Sequence, residues 1–366
     1  MRFLNSFPNI SFLNKNYVLF LIIFLTLFLL SFNINKPFIG HHDFNSVFFS
    51  EIARNLLRYE ILDTKLGMVL GSGPINSNNF SFYSHNVPLY SWILALAFFL
   101  FGETEYVARA LSVLFSTGTV FFLYIFIAKV FSKKAAVLSC LFYILSPMFI
   151  YFGTGVFPET LGIFLSVASF YFFINWIDRN TTKDFYIFLA LSTAALLTVW
   201  GTYFLYIILI FYSLFILKIK KDKRFKIFIA LPFIIFSLFI LHTYLMKGSG
   251  FLNDLSTVFL YRLKSNSVSD QIAFNQFFLE EFHRTAAFYS KSTLFLASLW
   301  ILWFILKSKK AKSDFLVLIL LIWGISYPLV FRGAAYIHDY FLIYMAPFIA
   351  IASANLLIEL TTLFNI

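Results

Sequence analysis

Charged side chains that could act on an anionic or hydroxylated ligand share one stripe early in the chain. At about 100° per residue, one helical face carries Asp43, Glu51, Arg54 and Arg58. The opposite face carries Phe48, Phe49, Ile52 and Leu56. Such a helix is expected to lie on a membrane surface with its apolar face in lipid. Two interpretations stay open: ion pairs on a solvated face, or an acid and two guanidiniums that point into a cavity.

Three further places combine a titratable or charged side chain with a predicted helix end. Arg109 either extends to lipid headgroups or binds a lipid phosphate. Glu159 follows Pro158, so it either caps a helix or, because an acid is costly at membrane depth, has a function. His338 and Asp339 could orient a ligand or bind a metal ion, although adjacent residues do not face each other on a helix.

Composition assigns these residues to a membrane protein. The 366 residues are 60% hydrophobic and only 12% charged, with a mean hydropathy of +0.84, whereas soluble domains are roughly 25% charged. This excludes a soluble globular enzyme, a disordered chain and a nucleic-acid-binding module. The single cysteine, Cys140, excludes an intramolecular disulfide and a cysteine-based metal cluster. Motifs of nucleotide-binding folds and of serine or zinc hydrolases do not occur in the sequence.

Apolar segments predict the spans that must position the charged residues. A span needs about 20 mostly apolar residues, and ten segments qualify: 17–32, 107–131, 135–152, 159–177, 185–200, 202–217, 225–245, 292–306, 315–331 and 340–361. A helix over 88–101 is about 21 Å long, short of a bilayer core of roughly 30 Å. If this helix enters the membrane surface without crossing the bilayer, the basic residues all lie on one side of the membrane, and the positive-inside rule makes that side cytoplasmic. These residues are Arg2, Lys15, Lys133, Lys134 and the clusters at 218–226 and 307–312.

This topology predicts one integral membrane domain over residues 1–366 with two large extracytoplasmic loops, at about 33–106 and 246–291. All six histidines fall in these loops or at outer helix ends: His41, His42, His85, His242, His283 and His338. Titratable chemistry is therefore expected on the extracytoplasmic face, although loops hold polar residues in any case.

The motifs resemble those of the GT-C glycosyltransferases, and more narrowly those of the protein O-mannosyltransferases and the lipid A aminoarabinose transferase. The matching segments are 43–57, 88–103 with Arg109, Glu159, and 338–340 with Pro347. The likeness covers residues 15–200 well and the rest loosely. Phe44 stands where many members of the family carry a second acid.

The resemblance implies an all-α polytopic membrane protein, a GT-C-like bundle of about ten transmembrane helices with interfacial helices in the first extracytoplasmic loop. It implies an enzyme that moves a sugar from a polyprenyl-phosphate-linked donor to an acceptor hydroxyl, with inversion at C1. The acceptor would be a glycan, a lipid or a protein, and no nucleic acid is expected as a partner. The reaction would take place on the extracytoplasmic side of the cytoplasmic (inner) membrane.

The resemblance also implies roles for named residues. Asp43 is expected to be the general base, and Glu159 to position the acceptor or to share a divalent cation, Mg²⁺ or Mn²⁺, with Asp43. Phosphate of the donor would be bound by Arg54, Arg58, Arg109 and Arg332. Other substrate groups would be bound by His42, His85, Tyr90, His338, Asp339 and Tyr340.

Two other functional classes compete with this interpretation. A transporter or lipid flippase would place ionisable residues at mid-membrane in broken helices; here the acids cluster at the predicted outer rim, which favours an enzyme. A scaffold in a cell-envelope assembly would tolerate replacement of Asp43 and Glu159.

Overall fold

The computed structural model describes residues 17–219, 222–264 and 274–363, and its regular structure is mostly helical. Arg2, Lys15 and residues 220–221 of the predicted basic cluster lie outside the described residues, as do residues 265–273 of the second predicted loop. The α-helices are, in chain order, α1 (Tyr17–Ser31), α2 (Asp43–Arg58), α3 (Ile61–Thr64), α4 (Leu89–Phe101), α5 (Glu105–Val130), α6 (Lys133–Ile144), α7 (Pro147–Phe152), α8 (Pro158–Arg179), α9 (Thr182–Leu196), α10 (Gly201–Phe211), α11 (Lys223–Lys247), α12 (Phe251–Lys264), α13 (Phe274–Tyr289), α14 (Lys291–Leu306), α15 (Lys312–Val330), α16 (Arg332–Ile337) and α17 (Ala346–Leu363).

Several helices are long and apolar enough to cross a bilayer. Among the described residues there are five, namely α5, α8, α15 and the segments Lys223–Leu263 and Asp339–Leu363. A sixth is possible if α13 and α14, which meet at a bend of 114°, form one broken span. Shorter apolar helices are α1, α4 and the stretch Gly201–Leu217, in which α10 continues as a π-helix. The chain is thus a polytopic helical membrane protein, and the number of ten spans stays a prediction.

The predicted amphipathic helix is present as α2, which spans Asp43–Arg58, the stretch over which the charged stripe recurs. Its apolar face, however, does not lie in lipid as expected. Phe49 and Ile52 are buried against the rest of the chain, and the Phe49 ring packs 5.7 Å from that of Tyr90 on α4. The expectation of a lipid-facing surface is therefore wrong for these residues, because α4 covers the apolar stripe of α2.

A short antiparallel hairpin follows α2, with strand β1 (Met68–Leu70) paired to β2 (Ser81–Tyr83). The buried Asn55 amide of α2 donates hydrogen bonds to the carbonyls of Val69 and Gly71, at 3.0 and 2.8 Å. These bonds fix the hairpin on α2, and so fix the direction of the chain that leaves β2 toward His85.

The predicted span 135–152 is divided into α6 and α7. Pro147 cannot continue a helix from α6 but suits the first position of a new one, and the Ser146 hydroxyl caps α7 by accepting from the Phe149 amide at 3.2 Å. The break brings Tyr151 to the start of α2, where its hydroxyl donates to the His41 carbonyl at 3.0 Å.

Candidate active site

Two cavities adjoin the beginning of α2. The first, of about 200 Å³, is lined by Asp43, Arg109, both residues of the His41-His42 pair, and Tyr151. The second, of about 320 Å³, lies on the other side of α2.

The Asp43 carboxylate accepts four hydrogen bonds from three donor groups. It lies in the first turn of α2, where the helix dipole favours a negative charge. Nη2 of Arg109 donates to both carboxylate oxygens, at 3.0 and 3.2 Å. The Ser46 hydroxyl and the Gly40 amide complete the set at 3.1 and 2.8 Å. A Cβ at position 40 would lie 2.8 Å from the Tyr151 hydroxyl and 3.0 Å from an Asp43 carboxylate oxygen, so a larger residue there would displace one of these side chains. Asp43 and Arg109, both predicted site residues, are therefore in direct contact.

Arg109 is itself committed to protein atoms. Its side chain is 6% exposed, and its Nε, Nη1 and Nη2 atoms donate to the carbonyls of Lys36, Thr154 and Pro37, at 2.9, 3.4 and 3.2 Å. The guanidinium also lies 4.8 Å from the ring centre of Phe38. Arg109 therefore joins the linker after α1, the loop after α7 and the start of α2, and most of its donors are already in use.

The second cavity contains an acid, Glu159, that has fewer hydrogen-bond partners than Asp43. Glu159, in the first turn of α8, is 4% exposed, and its Oε2 atom has no hydrogen-bond partner among the described residues. Burial of a polar group without a hydrogen-bond partner costs about 1–3 kcal/mol, and more when the group is charged. The geometry leaves an acid that is available to a ligand in this cavity.

Arg262 of α12 lines the same cavity, and sequence reasoning did not select it. Its Nη2 atom donates to the His85 carbonyl at 3.1 Å. Burial raises the pKa of the nearby Tyr83 hydroxyl, and the positive charge of Arg262 opposes that rise. No motif in the sequence marks Arg262; the only available signal was a basic residue inside a predicted extracytoplasmic loop.

His85, as predicted for a substrate-binding residue, also lines the second cavity. Its Nε2 atom lies 3.6 Å from a carboxylate oxygen of Asp254 on α12. Burial lowers the pKa of the imidazole, although Asp254 acts in the opposite direction. The neutral ring is therefore favoured in this position.

A cluster of imidazoles and one carboxylate lies between the two cavities. Nε2 of His41 is 3.0 Å from Oδ2 of Asp339, and Nε2 of His42 is 2.9 Å from Oδ1. His338 and Tyr340 lie in the wall of the second cavity, with ring centres 5.9 and 5.1 Å from that of His42. Burial, with the neighbouring His42, lowers the pKa of His338 to about 4. The structure thus brings together four predicted substrate-binding residues: His42, His338, Asp339 and Tyr340.

Five predicted site residues line neither cavity: Asp339, which lies between them, and Arg54, Arg58, Arg332 and Tyr90. Arg54 pairs with Glu51 and Glu103, at 3.1 and 3.0 Å, and Arg58 lies 3.5 Å from Glu51, so the charged stripe of α2 forms ion pairs. Arg332 is exposed beside the Phe274 ring, and Tyr90 is in the core against Phe49.

The two carboxylates predicted to share a cation line different cavities, Asp43 the first and Glu159 the second. Among the described residues, the group of side chains whose geometry could hold a metal ion is instead His41, His42 and Asp339.

Comparison with known proteins agrees with the resemblance predicted from the sequence. The family described as dolichyl-phosphate-mannose-protein mannosyltransferase matches residues 85–244. No curated protein sequence matches the chain.

Solved structures share the fold. ArnT from Cupriavidus metallidurans, bound to undecaprenyl phosphate, matches with a TM-score of 0.65 and 14% identity over 93% of this chain and 59% of ArnT. The oligosaccharyltransferase of Archaeoglobus fulgidus, in complex with zinc and sulfate, matches with a TM-score of 0.58 and 14% identity over 95% of this chain and 49% of that protein. A structure of the same archaeal enzyme, AglB, with an inhibitory peptide and a dolichol-phosphate matches with a TM-score of 0.50 and 12% identity, over 96% and 51% of the two chains.

These matches confirm the resemblance to the GT-C superfamily and its helical membrane fold. The chain spans only about half to three fifths of the length of the solved relatives, so their activities and ligands are not thereby those of this chain.

Proposed function

We propose that this protein is a membrane glycosyltransferase that moves a sugar from a polyprenyl-phosphate-linked donor to an acceptor hydroxyl. One observation carries the proposal: the unpartnered acid Glu159 and the guanidinium of Arg262 line one cavity, which adjoins the cavity of the anchored Asp43 carboxylate. An acid and a cation in a partly aromatic cavity suit a ligand that has both hydroxyl groups and a phosphate.

The donor is proposed to enter the second cavity. Its phosphate would pair with Arg262, since a guanidinium matches phosphate oxygens in a bidentate manner. Apolar side chains of the same wall, including Phe44, Phe48 and Val258, would contact the lipid chain. The solved relatives carry undecaprenyl phosphate or a dolichol-phosphate, which supports this class of donor. Of the arginines proposed from sequence, Arg109 lines the first cavity and would act mainly by fixing Asp43.

Transfer is proposed as a single displacement with inversion. The acceptor oxygen attacks C1 of the sugar, the bond between C1 and the phosphate oxygen breaks, and the polyprenyl phosphate leaves with its negative charge beside Arg262. The proton of the acceptor hydroxyl passes to the Asp43 carboxylate, which acts as general base. Glu159 would position the acceptor or a sugar hydroxyl. A divalent cation shared by Asp43 and Glu159 stays a prediction.

We also propose that the site faces the extracytoplasmic side of the cytoplasmic membrane. Helices α5 and α8 begin at the site and extend about 39 and 33 Å from it. At their far ends Lys129 pairs with Asp178 at 3.1 Å, and Lys133 and Lys134 follow. The positive-inside rule makes that basic end cytoplasmic. The chain would run between the two ends ten times, through α1, α5, α6 with α7, α8, α9, α10, α11, α14, α15 and α17.

The test is a transfer assay on the purified full-length chain in lipid nanodiscs. A panel of radiolabelled sugars linked to polyprenyl phosphate is supplied with membrane extracts as the source of acceptor. We expect label to move from the lipid fraction to one acceptor class while unglycosylated polyprenyl phosphate accumulates in equal amount. Movement of intact donor across liposomes, without cleavage of the sugar–phosphate bond for any donor, would instead indicate a flippase and overturn the proposal.

A further inference from the structure

We propose that His41, His42 and Asp339 form a binding site for one divalent transition-metal ion. Each residue offers one ligand atom, and these atoms all lie within 4.8 Å of one another. The site is distinct from the pair of carboxylates Asp43 and Glu159. Binding of the ion does not depend on the transferase activity, because the three side chains lie together without any substrate.

The distances within the cluster fit shared coordination. Nε2 of His41 and of His42 lie 3.0 and 2.9 Å from the two oxygens of the Asp339 carboxylate. Nitrogen and oxygen ligands about 2.0–2.2 Å from one ion in tetrahedral geometry are about 3.3–3.6 Å apart, so small movements of the side chains would admit the ion.

The surroundings of one pair also suit an ion. His42 Nε2 and Asp339 Oδ1 are 2.9 Å apart, and within the described part of the chain these two buried atoms have no hydrogen-bond partner outside the pair. Buried polar groups are rarely left unsatisfied, and a cation between the imidazole and the carboxylate would satisfy both.

The backbone presents the two imidazoles together. His42 has φ 63° and ψ 7°, in the left-handed region that residues other than glycine seldom occupy. With this turn the rings of His41 and His42 lie side by side, with their centres 4.1 Å apart. The Tyr151 hydroxyl holds the His41 carbonyl at 3.0 Å. The chain thus adopts an uncommon conformation at the point where it aligns the two nitrogen ligands.

The ligand types select the metal. Two imidazoles and a carboxylate suit zinc and other first-row transition ions, whereas Mg²⁺ and Ca²⁺ prefer a shell of oxygen atoms. Such an ion would connect the residue before α2 to Asp339, which is 298 positions from His41 in the sequence. It would therefore fix the wall that separates the two cavities.

The experiment measures metal content and needs no substrate. Full-length protein without a polyhistidine tag is purified in detergent, stripped with a chelator, dialysed against Zn²⁺ or, in parallel, Mn²⁺, and measured by mass spectrometry. The apparent affinity is then obtained by competition with a chromogenic chelator. His42→Gln and Asp339→Asn each remove one ligand, and His283→Gln, on the exposed face of α13, is the matched control.

We expect one zinc ion for each wild-type and His283→Gln chain, and an affinity at least tenfold lower in each ligand variant. Zinc should also raise the Tm of the wild-type protein and of the control more than that of the two ligand variants. The proposal is overturned if the stripped wild-type protein takes up neither Zn²⁺ nor Mn²⁺ stoichiometrically, or if folded ligand variants bind as tightly as the control. The wild-type result decides the matter even where a variant does not fold. A chain that transfers sugar but binds no metal would refute this site alone.

Discussion

The two cavities beside α2 differ in how their charges are compensated. In the first, the Asp43 carboxylate and the Arg109 guanidinium satisfy each other and nearby backbone groups. In the second, Glu159 has an oxygen atom without a partner in the described structure, and the Arg262 guanidinium donates to the His85 carbonyl and lies beside the Tyr83 hydroxyl. Charges that are paired within the protein fix the position of the Asp43 carboxylate in the first cavity. In the second cavity, the free oxygen of Glu159 leaves capacity to bind a ligand.

The largest expected effect is on transfer in Asp43→Asn. The amide keeps the shape of the carboxylate but cannot accept the acceptor proton, and general-base catalysis typically contributes about 10²–10⁴-fold. We therefore expect the rate of polyprenyl phosphate release, measured per amount of folded protein, to fall at least ~10²-fold.

The control for this variant is Asp63→Asn, which changes an exposed carboxylate on α3. Near-normal turnover of Asp43→Asn would falsify the assignment of the base and would make the first cavity purely structural.

The next effect is on stability in Arg109→Gln. Removing one partner of a buried ion pair costs about 3–5 kcal/mol, because the other charge remains buried. We expect the free energy of unfolding to fall by about that amount, measured by chemical denaturation in detergent with Arg332→Gln as the exposed control. A loss of transfer with unchanged stability would show that Arg109 acts on the substrate and is not the positioning residue that its contacts indicate.

A smaller effect is expected on donor affinity in Arg262→Gln. Loss of a charge-assisted hydrogen bond to phosphate corresponds to about 1.5–3 kcal/mol, or roughly 10- to 100-fold in Kd. The measurement is binding of a polyprenyl phosphate to protein in nanodiscs. Arg54→Gln is the matched control, since Arg54 pairs with Glu51 and Glu103 outside the cavities. If Arg262→Gln and Arg54→Gln lowered the donor affinity equally, the assignment of the donor phosphate to Arg262 would be wrong.

The smallest effect is on stability in Glu159→Gln. Because the carboxyl group has an unpartnered oxygen, an amide of the same size should leave the free energy of unfolding within about 1 kcal/mol of the wild-type value. Transfer should nevertheless fall. A loss of stability as large as that in Arg109→Gln would mean that Glu159 is paired after all, and the two cavities would no longer differ.

Local features of the site could be predicted from the sequence. The charged stripe from Asp43 to Arg58 predicts the helix that the structure shows as α2. The family resemblance assigns Asp43 and Arg109 to one site, and the structure shows them in contact. The ion pairs of Arg54 and Arg58 were one of two open interpretations, since periodicity gives the face of a helix but not what the face contacts.

Contacts between distant segments could not be predicted in this way. Arg262 reaches His85 across 177 positions, and His41 reaches Asp339 across 298. No period or spacing signals such pairs, because they depend on how the helices pack. The burial of the apolar face of α2 was missed for the same reason: its partner, α4, was itself predicted to dip into the membrane surface.

The position of Arg109 also has a consequence for biosynthesis. Three of the groups that it binds, the Asp43 carboxylate 66 positions earlier and the carbonyls of Lys36 and Pro37, are translated long before it. A nascent chain that ends before α5 would leave this polar segment without its cation. The first loop can therefore reach its final shape only after the helix that carries Arg109 has left the ribosome and entered the bilayer.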